Sequence, residues 1–196
     1  SGESDRSSVL QPTSPAAVGG TMTFSSVTMT SMTLTWPAPS GATPTGYIVY
    51  RDDGDASAMP TPSIVVFEGD ALTTTVTGLT GGTSYTYIVA ALSGAGVGDV
   101  SATSSQSTSP AAPSGLTSDT QTSTSITLSW SASVVSGGSA VTSYNVYRND
   151  GSGAGAALSS SAAHTTTDGS TTTATLDQLS PGLLYSFAVS AVSDAG

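Results

Sequence analysis

The sequence lacks cysteine and lysine, and it has one histidine and three arginines among 196 residues. Without cysteine the chain has neither a disulfide framework nor a thiolate metal site. With one histidine it has no multi-histidine metal centre, so no cofactor is expected. The net charge of −10 is opposite to the charge that binds phosphate backbones, which excludes nucleic-acid binding.

Long apolar runs are also absent, so no membrane span is predicted. Charged residues make up 8% of the chain, yet 37% is hydrophobic and the mean hydropathy is +0.10, which is too apolar for a disordered protein. Serine and threonine supply 69 residues, about a third of the chain. The length fits two domains of about 95 residues each. Because the sequence has no initiator methionine or signal peptide, we expect a mature or excised piece of a processed protein.

An internal repeat organises the whole sequence. Three blocks recur in the same order and at slowly growing offsets, which indicates one fold present twice with small loop insertions in the second copy. The matched blocks are 31–36 with 125–130, 46–52 with 143–149, and 79–85 with 179–185.

The hydrophobic pattern predicts strands. In 32–36 apolar side chains alternate with threonines, and in 85–91 they alternate with small or polar residues, which is the period of a half-buried strand. Glycine, proline, asparagine and aspartate recur at turn spacing, and no stretch has a helical pattern. Six or seven short strands with one tryptophan per repeat predict an antiparallel sandwich.

These motifs resemble the fibronectin type III family, whose pattern runs Leu-x-Trp, Gly-Tyr-x-Val and Leu-x-Pro-Gly-x-x-Tyr. The last motif is complete at 179–185, and Gly81 replaces its proline in the first repeat. The resemblance implies an all-β fold of two immunoglobulin-like antiparallel β-sandwiches in tandem. It also implies core anchors, with each tyrosine hydroxyl bonding back to the chain at a corner. These anchors are Trp36, Tyr85, Trp130 and Tyr185.

The second repeat stops directly after its predicted strand F, so we expect it to lack its own strand G. In the first repeat Val100 to Ser105 are expected to fill that position. The predicted domains are 1–14, a strand-G-like segment that completes a neighbouring or preceding domain, then 15–108 and 109–196, the latter with strands A to F only.

Three explanations for this frame stay open. The chain is one period of a longer tandem array, or a separate subunit that polymerises by donating a strand, or a truncated fragment. In the second case identical copies join head to tail. The joining strand would be Ser7, Ser8, Val9, Leu10 and Gln11, set against Tyr185, Phe187 and Val189 of a neighbour.

Residues that carry chemistry are sparse. Asp52, Asp53 and Asp55 form a weak candidate for a calcium site, but the glutamate that closes an EF-hand loop is absent, so a solvated turn is the favoured interpretation. His164 has no accompanying nucleophile elbow. We therefore expect no catalytic residues and no enzyme activity.

Hydroxyls beside prolines suggest O-glycosylation, because segments rich in serine and threonine that contain proline are typical of glycosylated stalks. Attached glycans are then possible partners. The candidate positions are Ser14, Thr43, Thr61, Thr108 and Ser109.

Three functions follow from these features. The favoured hypothesis is an extracellular or cell-surface structural protein, the repeating unit of a filament, sheath or appendage. The second is a spacer or carbohydrate-associated module of a secreted polysaccharide-degrading enzyme. The third is an adhesin or receptor ectodomain that binds a protein through its loops.

Overall fold

The computed structural model describes residues 13–41, 43–52, 64–135, 138–149, 151, 158 and 165–195. Every regular element within these residues is a β-strand, as predicted, and none is a helix. The described part of the chain accordingly holds no helix that is long and apolar enough to cross a membrane.

The strands form where apolar and hydroxyl side chains alternate: Met32 and Leu34 are buried, Thr33 between them is half-buried, and Thr35 at the end of the same strand is exposed. The first repeat contains β1 (Thr23–Ser25), β2 (Ser31–Thr35), β3 (Gly46–Arg51), β4 (Ile64–Gly69), β5 (Thr73–Thr77), β6 (Ser84–Ser93), β7 (Gly96–Val100) and β8 (Ser104–Ser107). The second contains β9 (Ser114–Gln121), β10 (Ile126–Ser131), β11 (Val141–Arg148), β12 (Thr165–Asp168), β13 (Thr173–Leu176) and β14 (Phe187–Ser193).

Each repeat forms two sheets. In the first repeat the strand orders are β1-β2-β5 and β4-β3-β6-β7, and β8 also pairs with β6. In the second they are β13-β10-β9 and β12-β11-β14. The central pairs are antiparallel, with Val49 opposite Val89 and Val146 opposite Val189. This is the predicted fold of two antiparallel β-sandwiches in tandem.

A tryptophan lies in the core of each sandwich. Trp36 is 2% exposed, and its ring centroid lies 6.0 Å from that of Tyr47 and 5.4 Å from that of Phe67. Trp130 is 5% exposed and lies 5.6 Å from Tyr144. All three contacts are edge-to-face, a geometry that adds about 0.5–1.5 kcal/mol to the burial of area. Since the tryptophans and tyrosines come from different sheets, these rings join the two layers of each sandwich.

Hydroxyl side chains bond one another across the exposed sheet faces. Such cross-strand pairs each stabilise a sheet by about 0.2–1 kcal/mol, and they account structurally for part of the serine and threonine excess. The oxygen pairs are Thr33 with Thr75 at 3.0 Å, Thr35 with Thr73 at 3.1 Å, and Thr127 with Thr175 at 2.9 Å.

The two repeats differ at the outer edge of one sheet. In the first, β7 and β8 both pair with β6, so the segment around Val100 to Ser105 occupies the predicted position of strand G. In the second, β14 pairs with β11, and no other described strand pairs with it. A strand G beside β14 is thus not among the described residues, and the lack of one in the second sandwich stays a prediction.

Spatial proximity of the Cα atoms divides the described residues into two units. One comprises 13–24, 33–75 and 86–105, and the other comprises 25–32, 76–85 and 106–195. The corner of the first repeat at 25–32 and 76–85 is therefore grouped with the residues that follow β8. The domain boundaries given above stay a prediction.

The turn between β12 and β13 is organised by one carboxylate. Oδ1 of Asp168 accepts hydrogen bonds from the amides of Ser170 and Thr171, both at 2.8 Å, and from the Ser170 hydroxyl at 2.6 Å. Oδ2 accepts the Thr171 hydroxyl at 2.9 Å. These hydrogen bonds, those of Ser170 first, lower the pKa of Asp168 from 3.8 to about 2.

This turn predicts a defined acid sensitivity. Because the folded-state pKa lies below the ordinary value, the stabilisation is present above pH 3.8 and is lost as the pH falls towards 2. We expect the melting temperature of the intact chain to fall more steeply in this window than that of D168N, measured by thermal unfolding at successive pH values. D99N, which removes an exposed carboxylate elsewhere, controls for net charge. Equal slopes for wild type and D168N would contradict the prediction.

Candidate functional site

The first candidate ligand of the predicted calcium site is a buried structural residue. Asp52 is 5% exposed; its amide donates to the Thr86 carbonyl at 3.0 Å, and its Oδ1 accepts the Thr86 amide at 2.9 Å. This carboxylate continues the pairing between β3 and β6 after β3 has ended, so Asp52 is corrected from a solvated turn or metal ligand to a strand clamp. Asp53 and Asp55 lie outside the described residues, among which no group of three or more acidic or histidine side chains could hold a metal ion.

Asn149 occupies the equivalent position in the second repeat. It is 3% exposed, its amide donates to the Ser186 carbonyl at 3.1 Å, and its Oδ1 accepts the Ser186 amide at 2.9 Å. The same oxygen also accepts the Gly151 amide at 3.3 Å. Since an amide oxygen does the same work as the carboxylate of Asp52, the negative charge is not required for this clamp.

The predicted core anchors are placed as follows. The hydroxyl of Tyr85 accepts the Thr80 amide, and that of Tyr185 accepts the Ser180 amide, both at 2.9 Å. These are tyrosine corners. Tyr85 is buried at 5% exposure, whereas Tyr185 is half-buried and lies just before β14 rather than within it. The Arg148 guanidinium lies 5.5 Å from the centroid of the Tyr185 ring.

The predicted subunit-joining strand, Ser7 to Gln11, lies outside the described residues. Its predicted counterparts Phe187 and Val189 are half-buried and pack against the core of the second sandwich. Any strand added beside β14 would therefore be held mainly by the backbone of β14 rather than by these side chains.

The candidate glycosylation positions have different environments. Ser14 and Thr43 are exposed and line a cleft of about 240 Å³. Ser109 is half-buried, and Thr61 lies outside the described residues. Thr108 is 0% exposed, so it is corrected: in this fold its hydroxyl has no room for a sugar.

The Thr108 hydroxyl instead closes the corner of the first sandwich. It accepts the Thr83 amide at 3.1 Å and lies 2.6 Å from the Thr80 carbonyl and 3.2 Å from the Thr83 carbonyl. The Thr108 amide donates to the Thr83 carbonyl at 3.0 Å. One side chain therefore satisfies backbone groups that a buried corner would otherwise leave without partners.

Ser109 continues this cap through its backbone. Its carbonyl accepts the Gly82 amide at 2.8 Å, and its amide donates to the Thr28 carbonyl at 3.1 Å. Gly82 has φ of +66°, a conformation that favours glycine. We call Thr108 and Ser109 together the corner cap. It fixes the segment after β8 to residues 80–83 and to Thr28.

Neither the strand clamp of Asp52 and Asn149 nor the corner cap was predicted from the sequence. The signal for the strand clamp is the polar residue that directly follows Arg51 in one repeat and Arg148 in the other. The corner cap has no such signal, because residues 13–17 and 108–112 are both Thr-Ser-Pro-Ala-Ala and yet Thr13 is exposed where Thr108 is buried. A proline beside these hydroxyls led instead to the prediction of an exposed linker.

The corner cap predicts a large effect at Thr108. T108V keeps the side-chain shape but leaves the Thr83 amide without its acceptor, which should lower the free energy of unfolding by about 1–3 kcal/mol. T108S keeps the hydroxyl and should lose clearly less. Equilibrium urea unfolding of the intact chain measures both variants. Wild-type stability of T108V would refute the role of the hydroxyl.

The strand clamp predicts that the charge of Asp52 is dispensable. D52N keeps the acceptor for the Thr86 amide, as Asn149 does for Ser186, and should stay within about 1 kcal/mol of wild type, whereas D52A should lose about 1–3 kcal/mol. The same urea unfolding decides between them. If D52N is as unstable as D52A, the carboxylate has a further role that this pairing does not explain.

The match to a protein-family model agrees with two domains in tandem. The fibronectin type III domain family matches the chain twice, over residues 14–107 and 111–196. A two-domain fibronectin type III segment of chicken tenascin is 25% identical, with 88% of this chain and 89% of that one covered and a TM-score of 0.42.

The most similar curated proteins include bacterial enzymes. The chain is 36% identical over 197 residues to Chitinase A1 of Niallia circulans, which covers 94% of this chain and 24% of that protein. It is 35% identical over 191 residues to Exoglucanase B of Cellulomonas fimi, which covers 89% and 15% respectively. The chain thus spans less than a quarter of the length of these relatives. The two family matches extend over nearly the whole chain, and it belongs to the fibronectin type III family.

Proposed function

We propose that this chain is a non-catalytic spacer module of a secreted polysaccharide-degrading enzyme. The observation that carries the proposal is that its sequence matches parts of a chitinase and an exoglucanase that make up 24% and 15% of those proteins. A third relative, Endoglucanase B of Cellulomonas fimi, is 37% identical over 16% of its length. These relatives favour the second of the three functions considered from the sequence.

The polar devices support a spacer rather than an enzyme. Asp52, Asn149 and Thr108 are all buried and bonded to backbone groups of their own sandwich, so their chemistry serves the fold. Among the described residues no group of three or more acidic or histidine side chains could hold a metal ion.

The surface favours a spacer over a sugar-binding module. A sugar ring is commonly held by the apolar face of an exposed aromatic side chain. Among the described residues, the large hydrophobic side chains that are exposed are all aliphatic or methionine, and both tryptophans are buried. The exposed sheet faces instead carry threonines that bond one another.

The corner cap gives the spacer its stiffness. A linker without tertiary contacts behaves as a flexible coil, but Thr108 and Ser109 are fixed by hydrogen bonds to residues 80–83 and to Thr28. The first two residues of the segment that follows β8 are therefore tied to this corner by hydrogen bonds and do not behave as a free coil. Such a module separates the domains on either side of it and needs neither charged surfaces nor catalytic residues to do so.

The experiment compares the full-length parent protein with two variants. In one variant all 196 residues of this chain are deleted. In the other they are replaced by a glycine-serine linker of the same number of residues. We expect turnover of a short soluble oligosaccharide to stay unchanged in both, and degradation of the insoluble polysaccharide to fall in both. The isolated chain should not sediment with insoluble chitin or cellulose.

The outcomes separate the three hypotheses. Cosedimentation of the isolated chain with a polysaccharide would make it a binding module instead of a spacer. Electron micrographs of the native assembly that show identical units in linear series would favour the filament subunit. Unchanged degradation of insoluble substrate in both variants would remove the spacer role.

A further inference from the structure

The second sandwich has an open cleft at the corner that the corner cap closes in the first. Its volume is about 180 Å³. Gly182 is exposed there and Leu183 is 50% exposed, whereas the equivalent Gly82 and Thr83 are buried. The cleft is lined by Gln121, Thr122, Ser123, Ile126, Leu179, Ser180, Gly182, Leu183 and Tyr185.

The two corners have the same backbone construction. Leu79 donates its amide to the Thr30 carbonyl at 3.0 Å, and Leu179 donates to the Thr124 carbonyl at 2.9 Å. Gly82 has φ of +66° and Gly182 has φ of +77°. The tyrosine corners match as well, each at 2.9 Å. The cleft therefore presents the backbone groups to which the corner cap binds in the first sandwich.

These groups have no bonding partner within the described part of the chain. The amides of Gly82 and Thr83 donate to the corner cap, to the Ser109 carbonyl and to the Thr108 hydroxyl. No described residue accepts the corresponding amides of Gly182 and Leu183. An unoccupied pair of donors beside an exposed leucine is a site that an extended polar segment can complete.

A segment of matching sequence is exposed elsewhere in the chain. Residues 13–17 and 108–112 are identical in sequence, both Thr-Ser-Pro-Ala-Ala. Thr13 and Ser14 are exposed, and Pro15 is buried, as Pro110 is. Residues 13 and 14, which precede the first sandwich in sequence, thus carry the same hydroxyl and backbone groups as Thr108 and Ser109 of the corner cap.

We propose that the segment Thr13 to Pro15 of a second copy of this chain docks in the cleft of the second sandwich and caps its corner. The Thr13 hydroxyl accepts the Leu183 amide and donates to the Ser180 carbonyl. The Ser14 carbonyl accepts the Gly182 amide, and the Ser14 amide donates to the Thr122 carbonyl. Each bond repeats one that the corner cap makes with Thr83, Thr80, Gly82 and Thr28.

Charge permits this contact between two copies that each carry −10. The docking segment 13–17 has no charged residue, and neither does the cleft lining. Like-charged molecules therefore meet through neutral surfaces, where repulsion is screened by solvent. The proposal does not depend on the enzyme context, because it concerns only surfaces of this chain.

The test is nuclear magnetic resonance on a mixture of two forms of the intact chain. The ¹⁵N-labelled form carries T13V, so that it keeps the cleft but lacks the Thr13 hydroxyl, and unlabelled wild-type chain is added at millimolar concentration. We expect the amide resonances of Gly182 and Leu183 to shift. Unlabelled T13V chain in place of wild type should bind about tenfold more weakly, because the hydroxyl bonds are lost.

A peptide control identifies the docking chemistry. The heptapeptide Gln106 to Ala112 should shift the same two amides, and its version with valine at the Thr108 position should not. Shifts of equal size with both peptides or both unlabelled chains, shifts confined to the first sandwich, or no shifts at all would overturn the proposal. Equal shifts with a chito- or cello-oligosaccharide would mark the cleft as a sugar site instead. If the docking proposal fails, the proposed spacer role is not affected, because that role is tested separately by degradation of insoluble substrate.

Discussion

The packing of one indole between two sheets is the contact on which each sandwich depends. Trp36 contacts Tyr47 and Phe67, and Trp130 contacts Tyr144, all in edge-to-face geometry. In both repeats these aromatic contacts connect the two layers. In the first repeat a second aromatic pair also joins the layers, since the ring centroid of Phe24 in β1 lies 5.8 Å from that of Tyr87 in β6. The alternation of the strands and the placement of the hydroxyls follow from keeping these rings inside.

Polar side chains complete what the strands leave open. A sandwich ends in corners and frayed strands whose amides and carbonyls are buried without a sheet partner. Asp52 and Asn149 extend a strand by one side chain, and Thr108 closes a corner. Serine, threonine, asparagine and aspartate suit this work because a short side chain reaches the local backbone without a large loss of rotamer entropy.

The strands and the core were predictable from the sequence because both depend on local period and on residue type. The alternation around 32–36 and 85–91 places side chains inside or outside whatever lies beside them. The clamp at Asp52 and the cap at Thr108 were not, since each joins segments far apart in sequence: Asp52 bonds to Thr86, and Thr108 to Thr80 and Thr83. A single carboxylate or threonine looks the same in a solvated turn and in a buried one. For the clamp the repeat offered a signal, because Asn149 stands where Asp52 stands. For the cap it offered none, because the same Thr-Ser-Pro at 13–15 begins with exposed residues.

The threonine pairs across the exposed faces have a consequence for the medium in which the protein works. Ion pairs between strands weaken as salt rises, because mobile ions screen them. The contacts of Thr33 with Thr75 and of Thr127 with Thr175 join neutral hydroxyls, which mobile ions do not screen. The contribution of these hydroxyl pairs to strand pairing therefore depends little on ionic strength.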